Sequence, residues 1–412
     1  MSERKALLSN MAAACLPLLL LSATCLADQP RVAFATSASG TGDLSSWAEA
    51  GGASGVAAGD AVCQARATAA GLLNPQNFVA WLSDDISDAW CRIHGLTGKR
   101  GSNCGQSALP QAAGPWVRTD GQPFAEAIER IVPPFNQVLL PLRFDEFGNA
   151  LGTDLGMWTG TTDQGAMDAS TCSNWTIGSF GTGFSGRQGS TGQTTFSWTA
   201  GRSQNCGAST ERLLCLEREP GPALPERSVD GLIVFLSASS GTGDLSSWSL
   251  AGGETGLAAA DAVCRAEAVQ AGLPEPDSFK AWLSTDETNA IDRLEGRGPW
   301  VRLDGIPVAA NNAELVSGEV FGPITLQANG DHTFRATWTG TNISGLSAPS
   351  NCDGWTSASD EKESAVGSSN SIDHWWTDRP FIRACNGLNR LYCLQDLFIT
   401  EIFADRFDLQ VK

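Results

Sequence analysis

The first strongly apolar stretch of the chain lies at residues 11–23, where Leu18, Leu19, Leu20 and Leu21 follow a short basic start at Arg4 and Lys5. Cys25-Leu26-Ala27 then places small residues at cleavage spacing. Residues 1–27 therefore read as a secretory signal peptide, with Asp28 first in the mature chain. A retained membrane anchor is the weaker reading, because a span needs ~20 apolar residues. Ser22-Ala23-Thr24 is a poor lipobox ahead of Cys25. Beyond the leader, short apolar runs alternate with glycine-rich polar ones. Residues 32–35 and 232–236 read as opening strands, and 78–82, 116–118, 157–160 and 213–217 as further short strands. The pattern at 55–71 is helical, with Cys63, Ala67 and Ala70 on one face and Gly71 as the stop, and 256–272 is its counterpart. From 161 to 207 the periodicity fades into Gly, Ser and Thr, which predicts a loop region tied down by Cys172 and Cys206. One clear helix among scattered short strands predicts an α+β fold.

The pattern occurs twice. Residues 32–83 align with 233–284 without a gap, with 31 identities in 52 positions. Gly40-Thr41-Gly42-Asp43-Leu44-Ser45-Ser46-Trp47 recurs letter for letter at 241–248, and Asp60-Ala61-Val62-Cys63 recurs at 261–264. Further on, Trp158-Thr159-Gly160-Thr161 matches Trp338 to Thr341, and Cys172-Ser173-Asn174-Trp175-Thr176 matches Cys352-Asp353-Gly354-Trp355-Thr356. A period near 200 marks a duplicated domain, far above the roughly 20–50 residues of a solenoid repeat. Pro220, Pro222 and Pro225 mark a linker. The expected organisation is a signal peptide at 1–27, a first domain at 28–218, a linker at 219–230, a second domain at 231–395 and a tail at 396–412.

Composition narrows the function classes. With 27 Lys plus Arg against 45 Asp plus Glu, the net charge is −18. That sign opposes nucleic acid, heparin and broad anionic membrane surfaces as partners. Three histidines leave little material for a zinc or iron site. Of 12 cysteines, Cys15 and Cys25 go with the leader, leaving 12 − 2 = 10. None forms a C-x-x-C pair, so disulfides in an oxidising compartment are expected in preference to metal.

Several of these motifs carry a resemblance. The helix sequence A-D-A-V-C followed by A-G-L, the strand F-x-A-W-L-S, and the later W-T-G-T, C-x-x-W-T and L-Y-C-L segments resemble the endostatin domain of collagens in the same order. Both copies resemble a bacterial exported family of unknown function with this endostatin-like, C-type-lectin-like fold. The resemblance implies two tandem disulfide-stapled domains. It also implies nested disulfides: Cys63–Cys215 with Cys172–Cys206, and Cys264–Cys393 with Cys352–Cys385. Spacing alone leaves three connectivities open for each set of four. Cys91 and Cys104 have no counterpart in the second copy and most simply pair with each other.

The known ligands of such folds do not carry over. His94, His332 and His374 do not fit an endostatin-type zinc site, and net negative charge replaces the heparin-binding face. Glu275-Pro276-Asp277 approaches a lectin calcium motif but sits just after the helix, and no W-N-D occurs. No cofactor is therefore expected, and calcium lacks its motif. Gly181-Thr182-Gly183-Phe184-Ser185-Gly186 fits G-x-G-x-x-G without the strand and helix that a phosphate loop needs. Adjacent acids such as Asp84-Asp85, Asp286-Glu287 and Asp360-Glu361 read as solvated surface more readily than as a glycosidase pair. The repeated block at 40–47 reads as a packed turn capped by Asp43 with Trp47 in a core, or as a loop in which Asp43 and Asp244 hold a cation.

The loops between the paired cysteines are the candidate binding surface, since loops on a rigid scaffold carry recognition. In the first copy they hold Arg187 and Arg202, with Asp163 and Asp168 just ahead of Cys172 as further candidates. In the second they hold Asp353, Asp360, His374, Trp375, Trp376 and Arg379, with Trp375 and Trp376 suited to stacking on a sugar or peptide. The expectation is a monomeric secreted, periplasmic or cell-surface binding or adhesion protein whose partner is an extracellular glycan or matrix protein, with no nucleic-acid partner. The alternatives are a hydrolase acting on an extracellular polymer, although no catalytic motif is recognisable, and a structural envelope protein without a soluble ligand.

Overall fold

The computed structural model describes residues 29–181, 183–208 and 210–397. The expected leader and all of the expected tail beyond Leu397 lie outside the described residues. The protein is α+β with mixed sheets, and it carries two sheet bodies. Strands of the first copy are β1 (Arg31–Ala35), β2 (Phe78–Ala80), β3 (Trp116–Arg118), β4 (Pro123–Ala125), β5 (Gly156–Trp158), β6 (Ser185–Ser190), β7 (Arg202–Asn205) and β8 (Arg212–Glu217). They lie in the order β4-β3-β1-β8-β5-β6-β7, with β2 also on β8. The β1–β3 and β5–β8 pairs are parallel, while β1–β8 is antiparallel.

The second copy repeats this with β9 (Leu232–Leu236), β10 (Phe279–Ala281), β11 (Trp300–Val301), β12 (Pro307–Ala309), β13 (Ala336–Trp338), β14 (Glu363–Ser364), β15 (Val366–Ser368), β16 (Arg383–Ala384) and β17 (Tyr392–Gln395). Its main sheet runs β10-β17-β9-β11-β12. Where β5 joins β8 in the first copy, β13 touches the second copy's last strand region only through the Thr337·Arg390 bridge. The sheet therefore breaks there into separate ladders.

Strand alternation divides each core into two layers. Phe34 faces the helix Gly55–Ala69, with Leu44, Val62, Cys63, Phe78, Trp158 and Trp175. Ala33 and Ala35 face the other way, toward Trp81, Trp116, Phe124 and Trp198. The helix begins and stops as expected, with its counterpart at Gly256–Gln270. All five disulfides join the expected partners: Cys63–Cys215, Cys91–Cys104, Cys172–Cys206, Cys264–Cys393 and Cys352–Cys385.

One expectation is corrected. The stretch 161–207 is not loop throughout, because it contains the hairpin β6–β7 and the short helix Ser197–Ala200. The strand Ser-Gly-Arg-Gln-Gly-Ser has no apolar alternation because its packing partner is backbone. A Cβ at Gly189 would collide with the Trp198 carbonyl, and one at Gly367 with the Trp376 carbonyl. Glycine is required there for close approach, and it erases the sequence signal of a strand.

Candidate functional site

The most repeated segment of the sequence turns out to be scaffold. Asp43 caps the turn Leu44–Ser46, its Oδ1 accepting from Ser45 N at 3.1 Å and Ser45 Oγ at 2.6 Å. Asp244 does the same for Ser246 at 3.2 and 2.6 Å. Trp47 Nε1 donates to Thr41 O at 3.0 Å and Trp248 Nε1 to Thr242 O at 2.9 Å. A Cβ on Gly40 would lie 2.5 Å from the Trp47 ring, and one on Gly42 would strike Cys172 Sγ. These constraints account for eight identical residues as a packed, capped turn whose carboxylate is already bonded.

That turn abuts an unusual stretch of backbone. Cys172, Ser173, Asn174 and Trp175 have φ of 49°, 53°, 58° and 65°, so the segment Cys172–Trp175 is a left-handed turn. Cys352, Asp353, Gly354 and Trp355 repeat it. L-residues pay about 1–2 kcal/mol each for this conformation. The loop disulfide opposes that cost, as do the Trp175 Nε1 bond to Ser83 O and the Trp355 Nε1 bond to Ser284 O, both 2.9 Å. Thr171 and Asn351 cap the turns by accepting from Asn174 N and Gly354 N. The result exposes Ser173 in one copy and Asp353 in the other while Trp175 and Trp355 stay in the core.

Around these turns the candidate residues divide. In the first copy Arg187 Nη2 meets Asp168 Oδ2 at 2.9 Å, a half-buried ion pair that ties the loop to β6. Asp163 is half-buried near Arg100, whose guanidinium lies 4.5 Å above the Trp90 ring. Burial pushes the Arg100 pKa down, against the opposing pull of Asp88 and Asp163. Arg202 is exposed on β7. In the second copy Asp360 and His374 are exposed, Trp375 is half-buried, and Asp353 pairs with Lys362 at 3.0 Å. Arg379 lies 4.0 Å above the Phe381 ring, and burial lowers its pKa.

Trp376 is a correction. It is 1% exposed, with ring centroids 5.2 Å from Trp282 and 5.7 Å from Tyr392. It is a core residue with no face free to stack on a ligand. What the sequence reading missed is the set of exposed apolar side chains inside the disulfide-closed loops: Phe180 at 73% and Phe184 at 46% in the first copy, Phe381 at 44% and Ile382 at 49% in the second. A lone Phe between Ser179 and Gly181, where no core pattern calls for one, was the available signal.

Concave sites lie nearby. A cleft of about 470 Å³ beside the second left-handed turn is lined by Asp286, Glu287, Asp353, Glu361, Lys362 and Glu363. A larger one of about 750 Å³ lies between the copies, floored by Val301, Ile306, Pro307 and Phe321 and edged by the linker. The carboxyls that burial pushes up, Glu211, Glu217, Asp373 and Asp378, line neither. Among the described residues no cluster of three or more His, Cys, Asp or Glu could hold a metal ion, and no helix is long and apolar enough to cross a membrane. No protein-family model and no curated protein matches the sequence.

Proposed function

We propose that this chain is an exported binding or adhesion protein, built from two tandem endostatin-like, C-type-lectin-like domains, that recognises an extracellular glycan or matrix protein through its disulfide-closed loops. The observation that carries the reading is the exposure of Phe180, Phe184, Phe381 and Ile382 on loops clamped by Cys172–Cys206 and Cys352–Cys385. Large apolar side chains held out to solvent on a stapled scaffold lose little freedom on binding and supply contact area. Arg379 beneath Phe381 adds a polar edge, and half-buried Trp375 extends the surface. Five disulfides are consistent with an oxidising compartment.

The test is binding of the mature protein to an array of glycans and matrix proteins, with calcium and with chelator. The expected result is a specific hit weakened at least tenfold by Phe180→Ala with Phe381→Ala, at unchanged melting temperature. Trp376→Ala serves as the stability control, losing about 3–5 kcal/mol through a core cavity. A blank array, or hits indifferent to the phenylalanines, overturns the proposal.

A further inference from the structure

The two copies touch through equivalent residues. Correspondence in this region is set by β-pairing: Met157 pairs with Gly189 as Thr337 pairs with Gly367. Trp198 therefore matches Trp376, and Gly192, Gln193 and Thr194 match Asn370, Ser371 and Ile372. These segments meet each other. Gln193 and Ser371, which are equivalent positions, form an antiparallel bridge. Thr194 N donates to Asn370 O at 3.0 Å, and Ile372 N donates to Gly192 O at 3.2 Å. Exchanging the copies turns each of these bonds into the other.

A second zone obeys the same rule. Leu139 N donates to Phe124 O as Phe321 N donates to Val308 O, so Leu140 matches Gly322. A Cβ on Gly322 would lie 3.3 Å from Leu140. The matched arginines of the Trp-Val-Arg strands also cross over. Arg302 Nη1 donates to Leu139 O at 3.3 Å, and the Arg118 guanidinium sits 5.7 Å above the Phe321 ring. Two separate zones that each pair with themselves define a twofold axis and a self-complementary interface.

We infer that the chain is a covalently joined twofold dimer, in which the surface around Gln193, Leu140 and their mates binds a second copy of the same domain and the linker merely joins the two. Polar side chains of this surface bond across it. Gln193 Nε2 donates to Ser371 Oγ at 2.7 Å, and Asn370 Nδ2 donates to Thr194 O at 3.3 Å, all at buried positions. Among the described residues no disulfide crosses between copies. The proposal goes beyond the binding role and stands whether or not the loops recognise a ligand. It fixes the two loop faces in one rigid relation, in place of a flexible tether.

The experiment introduces a protease site at 222–226 of the full-length oxidised chain, cleaves it, and follows size by gel filtration with light scattering. The expected result is that both fragments elute together at the mass of the uncut protein. In the nicked protein, Leu140→Asp and, separately, Gln193→Glu, which sets a carboxylate against the Ser371–Asp373 pair, each weaken association at least tenfold. Circular dichroism confirms that the variants remain folded. Separation of folded, unmutated fragments at micromolar concentration overturns the proposal, and so does co-elution that neither variant weakens.

Discussion

The imidazole of His332 shows how a single buried side chain couples folding to pH. Its Nδ1 lies 3.3 Å from Thr325 Oγ1 and its Nε2 3.8 Å from Asp304 Oδ2, with Arg302 and Arg130 contributing positive charge around it. Burial, with Arg302 second, pushes its pKa down to about 3. The unfolded chain takes up a proton near pH 6.5, which the folded chain refuses until far lower pH. Stability from this site is therefore complete above about 6.5 and falls as pH drops toward 3, by about 2 kcal/mol at pH 5. Urea unfolding at pH 7 and pH 5 should show a drop that shrinks in His332→Gln; an equal drop in the variant assigns it to other groups. Legibility also varied residue by residue. Asp43 was readable as a cap because it precedes a Leu-Ser-Ser turn. Trp376 was misread because its mate Trp198 stands at a different offset from the ungapped repeat, which hid the alignment of Trp198-Thr199 with Trp376-Thr377. Both tryptophans cover an indole whose Nε1–H bonds the following threonine's Oγ1: Trp81 to Thr199 at 2.8 Å and Trp282 to Thr377 at 2.9 Å.

Among the elements, the helix and the strands with apolar alternation were legible because side-chain burial wrote the pattern. The hairpin β6–β7 was not, since glycine there answers to a neighbouring carbonyl and leaves no periodicity. The left-handed turns were equally hidden: Cys-Ser-Asn-Trp contains no glycine, and its positive φ values are enforced by a disulfide and an indole bond that form only in the folded chain. The disulfides themselves differ in reach. Cys63–Cys215 spans 152 residues and Cys91–Cys104 only 13. On the chain-entropy model these close loops worth about 5 and about 3 kcal/mol. Denaturant unfolding of Cys63→Ala/Cys215→Ala should thus show the larger loss, and Cys91→Ala/Cys104→Ala the smaller, confined to the insertion they pin. The reverse order would mean that the insertion, whose Arg100 stacks on Trp90 and whose Lys99 donates to Asp84 O, organises the first copy more than its helix staple does.

For the whole molecule, duplication was plain in the sequence, but the way the copies face each other was not. In one zone the residues that meet are Gln193 and Thr194 against Asn370 and Ser371, polar and unlike their mates, and in the other Leu139 and Leu140 pack against Ile306 and Phe321 in a short apolar run that reads equally well as core. Net charge was legible and carries its own consequence. A chain of net −18 repels itself when compact, and its exposed pairs do little to offset that. Arg143–Glu319 at 3.1 Å and Arg227–Glu126 at 3.3 Å each have a carboxylate about half exposed, a setting in which an ion pair contributes at most about 1 kcal/mol. Raising salt from about 0.01 to 0.15 M shortens the screening length from about 30 to about 8 Å. Long-range repulsion should fade over that range faster than the short contacts do, so the melting temperature should climb by a few degrees and then level off. A fall across the same range would show instead that ion pairs, chiefly the buried Arg302–Asp304 and Arg118–Asp120 forks, outweigh the surplus of negative charge.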